Sequence, residues 1–343
     1  MPMTGRARTP DQLLDHQGAV NSALRELMER SASSGLPLYR MMQYQLGWVD
    51  KDGQLEIGPP PDRFYGALCA EAAASWGAPA DARPAIAAAE LLAQSIVVHE
   101  EMQLGEHHLE HRPAVWWVWG PAQAINVGDG LHALARLSAF RLKEAGLAAE
   151  RTLGAVVALD AAALRYYEGQ FMDLTYQERL DVTEAQYARM AASKRGALVG
   201  GTIALGAYVA GATDEQIQAA WRFGELAGSA MQMREDVTLL WHEGDGRSGR
   251  VLNKSKLLPV VYALDHATIA QKRALGDVYF KRVMEPDDVR KVRAILDQIG
   301  ARDYTQERAE ATAREAMASL DRAGVSAQAR ERWDAIIDTL TKG

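Results

Sequence analysis

The chain has 343 residues, a formal net charge of −7, one cysteine, and 48% hydrophobic against 24% charged residues. This composition is ordinary for a globular protein. Its acidic balance argues against a nucleic-acid partner, and the lone Cys69 excludes an intramolecular disulfide framework and fits a reducing cytoplasm. No apolar run reaches the ~18–20 residues that span a membrane, and the leading MPMTGRARTPDQ lacks the apolar core of a signal peptide.

Residues 1–9 are expected to be disordered. Pro10-Asp11 can start a helix running to about Ser33, with Leu13, Leu14, Val20, Leu24 and Leu27 on its apolar face. Gly35-Leu36-Pro37 breaks it, and Tyr39 to Trp48 reads as a second, short helix. Asp50 to Asp62 is a loop by its Gly and Pro content, Phe64 to Trp76 is an Ala-rich helix, and Arg83-Pro84 leads into the next.

That next helix carries an apolar run, Leu91 to Val98, which turns abruptly into His99-Glu100-Glu101, with Glu106, His107, His108, Glu110 and His111 close behind. Paired carboxylates at the end of an apolar helix are costly to bury unless something offsets their charge. Facing a cavity, they form a divalent-cation site for an anionic substrate. A solvated helix end with scattered His accounts for the stretch equally well. Zinc on His107 and His111 is disfavoured, because no Cys lies nearby and the flanking Glu oxygens suit Mg²⁺.

After Gly120-Pro121 a long helix runs to about Ala145, where Gly146 stops it, and residues 149–175 form another with Tyr166, Tyr167, Gln170 and Asp173. Thr183 and Gln186 are spaced as a capping box for a helix to Lys194, and Gly196 to Ala210 is rich in small residues. Thr213-Asp214 caps the helix Glu215 to Trp241, whose end repeats the acidic pattern as Met231-Gln232-Met233-Arg234-Glu235-Asp236. A loop with Gly244, Gly246, Arg247, Gly249 and Arg250 follows, then Lys254, Lys256 and Leu258-Pro259. Two acid pairs on two helices can hold Mg²⁺ between them, and a glycine-rich basic loop can close over phosphates. The arrangement reads as a diphosphate trap. From Lys256 to Leu340 the chain is again helical, broken near Pro286 and Gly300, and residues 301–340 read as solvated helices. No convincing strand pattern appears. The expected architecture is one all-α domain over 10–343, a helical bundle with a central cavity.

These pieces, in order, resemble the polyprenyl diphosphate synthase family over roughly residues 35–270. The resemblance rests on His99-Glu100-Glu101 followed by Arg112-Pro113, Gly120 and Ala122-Gln123-Ala124-Ile125 leading to Gly128-Asp129, and Glu168-Gly169-Gln170 with Asp173-Leu174. It continues in Lys194-Arg195-Gly196-Ala197-Leu198, Gln232 to Asp236, and Lys256 before Leu258-Pro259. It implies the isoprenoid synthase fold, a helical bundle around a central apolar cavity, usually a homodimer. It also implies Mg²⁺, two or three ions with Mn²⁺ as a substitute, on Glu100, Glu101, Glu235 and Asp236. An allylic prenyl diphosphate would be held by Lys194, Lys256, Arg112 and Arg247, with Lys194, Gln232 and Gln170 catalytic. Ser95, Trp116 and Tyr166 would line the pocket, and a small residue at Ser95 would leave it deep. Trp116, Trp117 and Trp119 could stabilise a carbocation through their ring faces, but plain core packing accounts for two of the three.

Departures from the family pattern set the functional expectation. Leu104 and Leu239 stand where each metal motif has its third acid, Leu109-Glu110 replaces twin Arg, and PDRFY (61–65) stands where the family has Gly-Lys-Arg. Those basic groups hold isopentenyl diphosphate in the family. The expectation is therefore ionisation of one allylic diphosphate of fifteen carbons or more, followed by cyclisation or rearrangement as in terpene synthases. The alternatives are chain elongation or another prenyl transfer, and a non-catalytic regulatory subunit.

Overall fold

Local chemistry sets most helix ends in the computed structural model, which describes residues 9–31, 35–56, 61–77, 81–109, 112–241 and 249–342. Pro10 precedes α1 (Asp11–Leu14), and α2 (Gln17–Ser31) follows after a break at Asp15-His16, where one continuous helix was expected. Of the expected disordered stretch only Thr9 is described; it is buried, and its hydroxyl donates to Asp62 Oδ2 at 2.6 Å. α3 (Pro37–Gln45) starts on a proline whose missing N–H costs nothing at that position. α4 (Phe64–Ser75) and α5 (Arg83–Leu104) come next, and α5 ends on Gly105 in the left-handed conformation, φ 65°.

A two-stranded antiparallel hairpin follows, β1 (His108–Leu109) with β2 (Arg112–Pro113), which the sequence reading missed because each strand holds only two residues. Then come α6 (Val115–Trp119), α7 (Pro121–Phe140), which stops short of Ala145 as the chain turns, and α8 (Ala149–Tyr176). Thr183 and Gln186 close their capping box over α9 (Glu184–Ala191). The chain does not stop there: it passes through a π-helical turn, Ala192–Gly196, into α10 (Ala197–Val209). The remaining helices are α11 (Asp214–Trp241), α12 (Gly249–Leu252), α13 (Leu258–His266), α14 (Ile269–Tyr279), α15 (Pro286–Gln298), α16 (Ala301–Arg322) and α17 (Ala327–Lys342).

The fold is an all-α bundle. α10 is apolar all round and is buried along nearly its whole length, packed by α4, α8 and α11. The reading of 301–340 as solvated helices is corrected. α16 lies along α11 and buries Ala309, Ala313, Ala316 and Leu320, while α17 buries Trp333, Ile336, Ile337 and Leu340. Their Glu and Arg residues cover only the outer face, and alanines at helical spacing make a narrow stripe that is easily overlooked. Among the described residues no helix is long and apolar enough to cross a membrane.

Candidate functional site

The site is built around the π-helical turn. Gly169 on α8 and Gly228 on α11 press on it from both sides: a Cβ at Gly169 would stand 2.5 Å from Lys194 N, and one at Gly228 2.5 Å from Arg195 O. Such π turns are common at functional sites. This one sends Lys194 and Arg195 to different acids. Lys194 Nζ lies 2.7 Å from Glu100 Oε1 at the end of α5 and 2.8 Å from Asp173 Oδ2 on α8. Arg195 pairs with Glu235 on α11.

Asp236 is held from three directions. Tyr187 OH donates to Oδ2 at 2.7 Å, Leu258 N to Oδ2 at 2.9 Å, and Gln232 Nε2 to Oδ1 at 3.0 Å. Arg250 stands in the middle, 3.5 Å from Asp236 Oδ1, 3.9 Å from Asp173 Oδ2 and 4.0 Å from Glu235 Oε2.

Burial works against every charge here, and the neighbours decide the outcome. Burial would raise Glu100, but Lys194, with Arg250 and Arg195 behind it, holds it down at about 2. Asp173 is likewise lowered, because Lys194 and Arg250 outweigh its burial. Asp236 goes the other way: burial raises it, and Arg250 and its hydrogen-bond donors only partly offset that. Lys194 is raised despite burial, by Asp173 and Glu100, so it stays protonated.

The structure brings Glu100, Lys194, Gln232, Glu235 and Asp236 together. Tyr166 is buried beside them, its hydroxyl raised by burial and by Glu100, and Lys194 Nζ is 6.0 Å from its ring centroid. Glu101 is 2% exposed and lies near Tyr44, whose hydroxyl is raised mainly by burial and further by Glu101, while Arg112 lowers it. Gln170 ties α8 to α5 through Gln103 Oε1 at 2.8 Å. Lys256 is drawn to the carbonyls of Gln177 and Lys254, both at 2.9 Å, and burial lowers it to about 8. Ser95 is fully buried with its hydroxyl turned back to Leu92 O. Trp116 donates to Glu106 O at 2.8 Å and packs with His107 and Trp117 beside the hairpin. Arg247 and Glu110 lie outside the described residues.

Asp173, Arg195 and Arg250 were named in the sequence as parts of motifs but given no role in the site, and Tyr187 was not named; its part is recognised only by what it touches.

Carboxylate oxygens are the ligand chemistry Mg²⁺ prefers, so the donor set fits that ion. The acids are nevertheless parted by Lys194, Arg195 and Arg250, and among the described residues no three His, Cys, Asp or Glu groups converge as ready ligands.

A second basic cluster lies at the end of α3. Arg63, fully buried, donates to Leu46 O, and Arg112 donates to Gln45 O at 3.2 Å and to Gln45 Oε1 at 3.0 Å. The two guanidinium groups thus share the end of α3. Each keeps a buried Nη1 with no hydrogen-bond partner among the described residues.

Comparison with known proteins agrees with this geometry. The sequence profile of the polyprenyl synthetase family matches residues 66–296. The chain is 34% identical over 291 residues to a geranylgeranyl diphosphate synthase of Mycobacterium tuberculosis, covering 83% of this chain and 81% of that one. It is 27% identical over 293 residues to a (2E,6E)-farnesyl diphosphate synthase of Mycobacterium bovis, covering 83% and 79%. A polyprenyl synthetase from Streptomyces coelicolor A3(2) superposes with a TM-score of 0.82 at 26% identity, over 95% of this chain and 98% of that one. These findings overturn the expectation of cyclisation, since the relatives are named for making prenyl diphosphates. The physical reason is at the end of α3. The loss of the family's basic residues from the N-terminal loop counted against a second diphosphate, yet Arg63 and Arg112 come together in space with donors to spare.

Proposed function

The chain belongs to the polyprenyl synthetase family, and from that premise we propose that it elongates an allylic prenyl diphosphate with isopentenyl diphosphate. The allylic C–O bond breaks and inorganic diphosphate leaves. The terminal carbon of isopentenyl diphosphate forms the new C–C bond and a proton is lost from its chain. The observation that carries this reading is the presence of two charge clusters: a mixed acid and base cluster around Lys194, and the paired Arg63 and Arg112 at the end of α3.

Glu100, Glu101, Glu235 and Asp236 would hold Mg²⁺, which would supply positive charge for the leaving diphosphate. Lys194 keeps its proton and donates to the same oxygens, with Lys256 contributing from the Gln177 side. Tyr187 and Gln232 fix the orientation of Asp236. Arg63 and Arg112 take the second diphosphate with their spare Nη1 donors. Ser95, small and buried above Glu100, leaves room for a product of the geranylgeranyl class.

We further read residues 10–343 as one domain, supported by the largest of three buried clusters, which runs from Leu13 to Leu340. The protein works as a homodimer in this reading. α7 and α8 expose Leu137, Phe140, Leu153, Val157, Leu164 and Phe171, a density of apolar side chains that points to a second copy as cover. The test of the two-site reading is Arg112→Met. It is expected to raise KM for isopentenyl diphosphate by ~10–100-fold, as one or two charge-assisted hydrogen bonds are lost, while KM for the allylic substrate stays within about threefold. Equal effects on both would count against a separate second site.

A further inference from the structure

Arg250 is 7% exposed, and its surroundings differ from those of the other cations. Lys194 touches its acids at 2.7 and 2.8 Å. Arg250 stands off at 3.5, 3.9 and 4.0 Å from three carboxylates on two helices. These distances exceed the ~2.7–2.9 Å of a direct charge-assisted hydrogen bond. Its Nε is buried with no hydrogen-bond partner among the described residues. A guanidinium placed between acids without joining any one of them occupies the position of a bridging cation. Its charge is also needed there: among the described residues the cations paired with Glu100, Asp173, Glu235 and Asp236 are Lys194, Arg195 and Arg250, and buried carboxylates left uncompensated are strongly unfavourable.

We propose that Arg250 is a built-in cation that takes the place of one divalent metal ion between the acids of α8 and α11. The enzyme accordingly needs one metal ion fewer than the same acids would take with a neutral side chain at this position. This rests on the reading of those acids as the metal and diphosphate site, so its test uses no substrate.

Bound Mn²⁺ is counted by the loss of the free-ion signal in electron paramagnetic resonance, on purified full-length protein. Arg250→Gln is expected to bind one more Mn²⁺ per chain than wild type, or to bind its first ion at least ~10-fold more tightly, about 1.4 kcal/mol. Arg250→Lys, which keeps the charge, is expected to follow wild type. The same titration in all three overturns the proposal. No Mn²⁺ bound by any of them overturns both the proposal and the metal reading beneath it. A second readout covers loss of stability: the Tm of Arg250→Gln should fall in chelator and recover on adding Mn²⁺, the ion replacing the lost charge. A Tm that stays low with Mn²⁺ counts against the proposal.

Discussion

Two clusters of buried charge in this molecule have opposite designs. Where the chain closes on itself, Glu71 on α4 is 2% exposed and fully engaged. His16 Nε2 lies 2.9 Å from its Oε2, and Arg332 on α17 reaches Oε2 at 2.7 Å and Oε1 at 2.8 Å. Burial would raise Glu71, but the hydrogen bonds from His16 and Arg332 hold it down at about 2. Around Lys194 several carboxylates and cations share one volume, and one of the cations, Arg250, comes no nearer than 3.5 Å to a carboxylate among the described residues. The first cluster has spent its hydrogen-bonding capacity on holding α1, α4 and α17 together. The second keeps capacity in reserve, which is what a site that must receive a charged ligand requires. Burial alone does not separate the two designs; contact distance does.

Removing the central cation should separate them most sharply. Lys194→Gln is expected to lower kcat/KM by ~10³-fold, about 4 kcal/mol of transition-state stabilisation, measured as diphosphate release. A loss under tenfold would place Lys194 outside the chemistry. Gly169→Ala should come next. Its new Cβ would meet Lys194 backbone N at 2.5 Å, which cannot yield as a flexible side chain would, and a displacement of about 1 Å near the reacting groups costs ~10²-fold. Unchanged kinetics would show that the π-helical turn tolerates movement.

The closure cluster should respond in stability instead. Arg332→Met leaves Glu71 with His16 alone, and because Arg332 is itself about a third exposed, the expected loss is about 2 kcal/mol rather than the full cost of breaking a buried pair. Urea unfolding measures it, with kcat/KM of the folded enzyme unchanged. Acid sharpens the contrast. The folded pKa of Glu71 is depressed to about 2, so its stabilisation is fully present above the unfolded value of about 4.3 and is lost as pH falls towards 2. In Arg332→Met this acid-labile part should shrink.

The smallest effect belongs to Lys256, which burial lowers to about 8. Its charge is lost above that pH, so activity should decline there, and Lys256→Arg should shift the decline upward. The slope of stability with pH has the same sign as for Glu71, in a different pH window. Between pH 8 and the unfolded value of about 10.4 the unfolded chain binds the extra proton, so this residue's contribution to stability rises with pH. A pH–rate profile identical in Lys256→Arg would remove Lys256 from the site.

Much of this was legible in the sequence where the signal is local. The capping box at Thr183 and Gln186 forms as spaced, and Glu100, Glu235 and Asp236 meet as their repeated pattern suggested. What escaped depends on distant contacts. Arg63 and Arg112 are 49 positions apart in the chain, and only the fold sets them side by side on Gln45 and Leu46. Read one at a time, they looked like the remnants of a lost site. Arg250 looked like one basic residue in a glycine-rich loop, while its surroundings come from α8 and α11. The Ala stripe of α16 was hidden beneath its charges.

The central claim is that two diphosphates are handled at two separate charge clusters, one around Lys194 and one at Arg63 and Arg112. The most direct measurement is mass spectrometry of the products made by purified protein from an allylic prenyl diphosphate, Mg²⁺ and isotopically labelled isopentenyl diphosphate. The account predicts a longer prenyl diphosphate carrying the label, with inorganic diphosphate released in step with isopentenyl diphosphate consumed. Diphosphate release at the same rate without isopentenyl diphosphate, into an unlabelled hydrocarbon or alcohol, would contradict it.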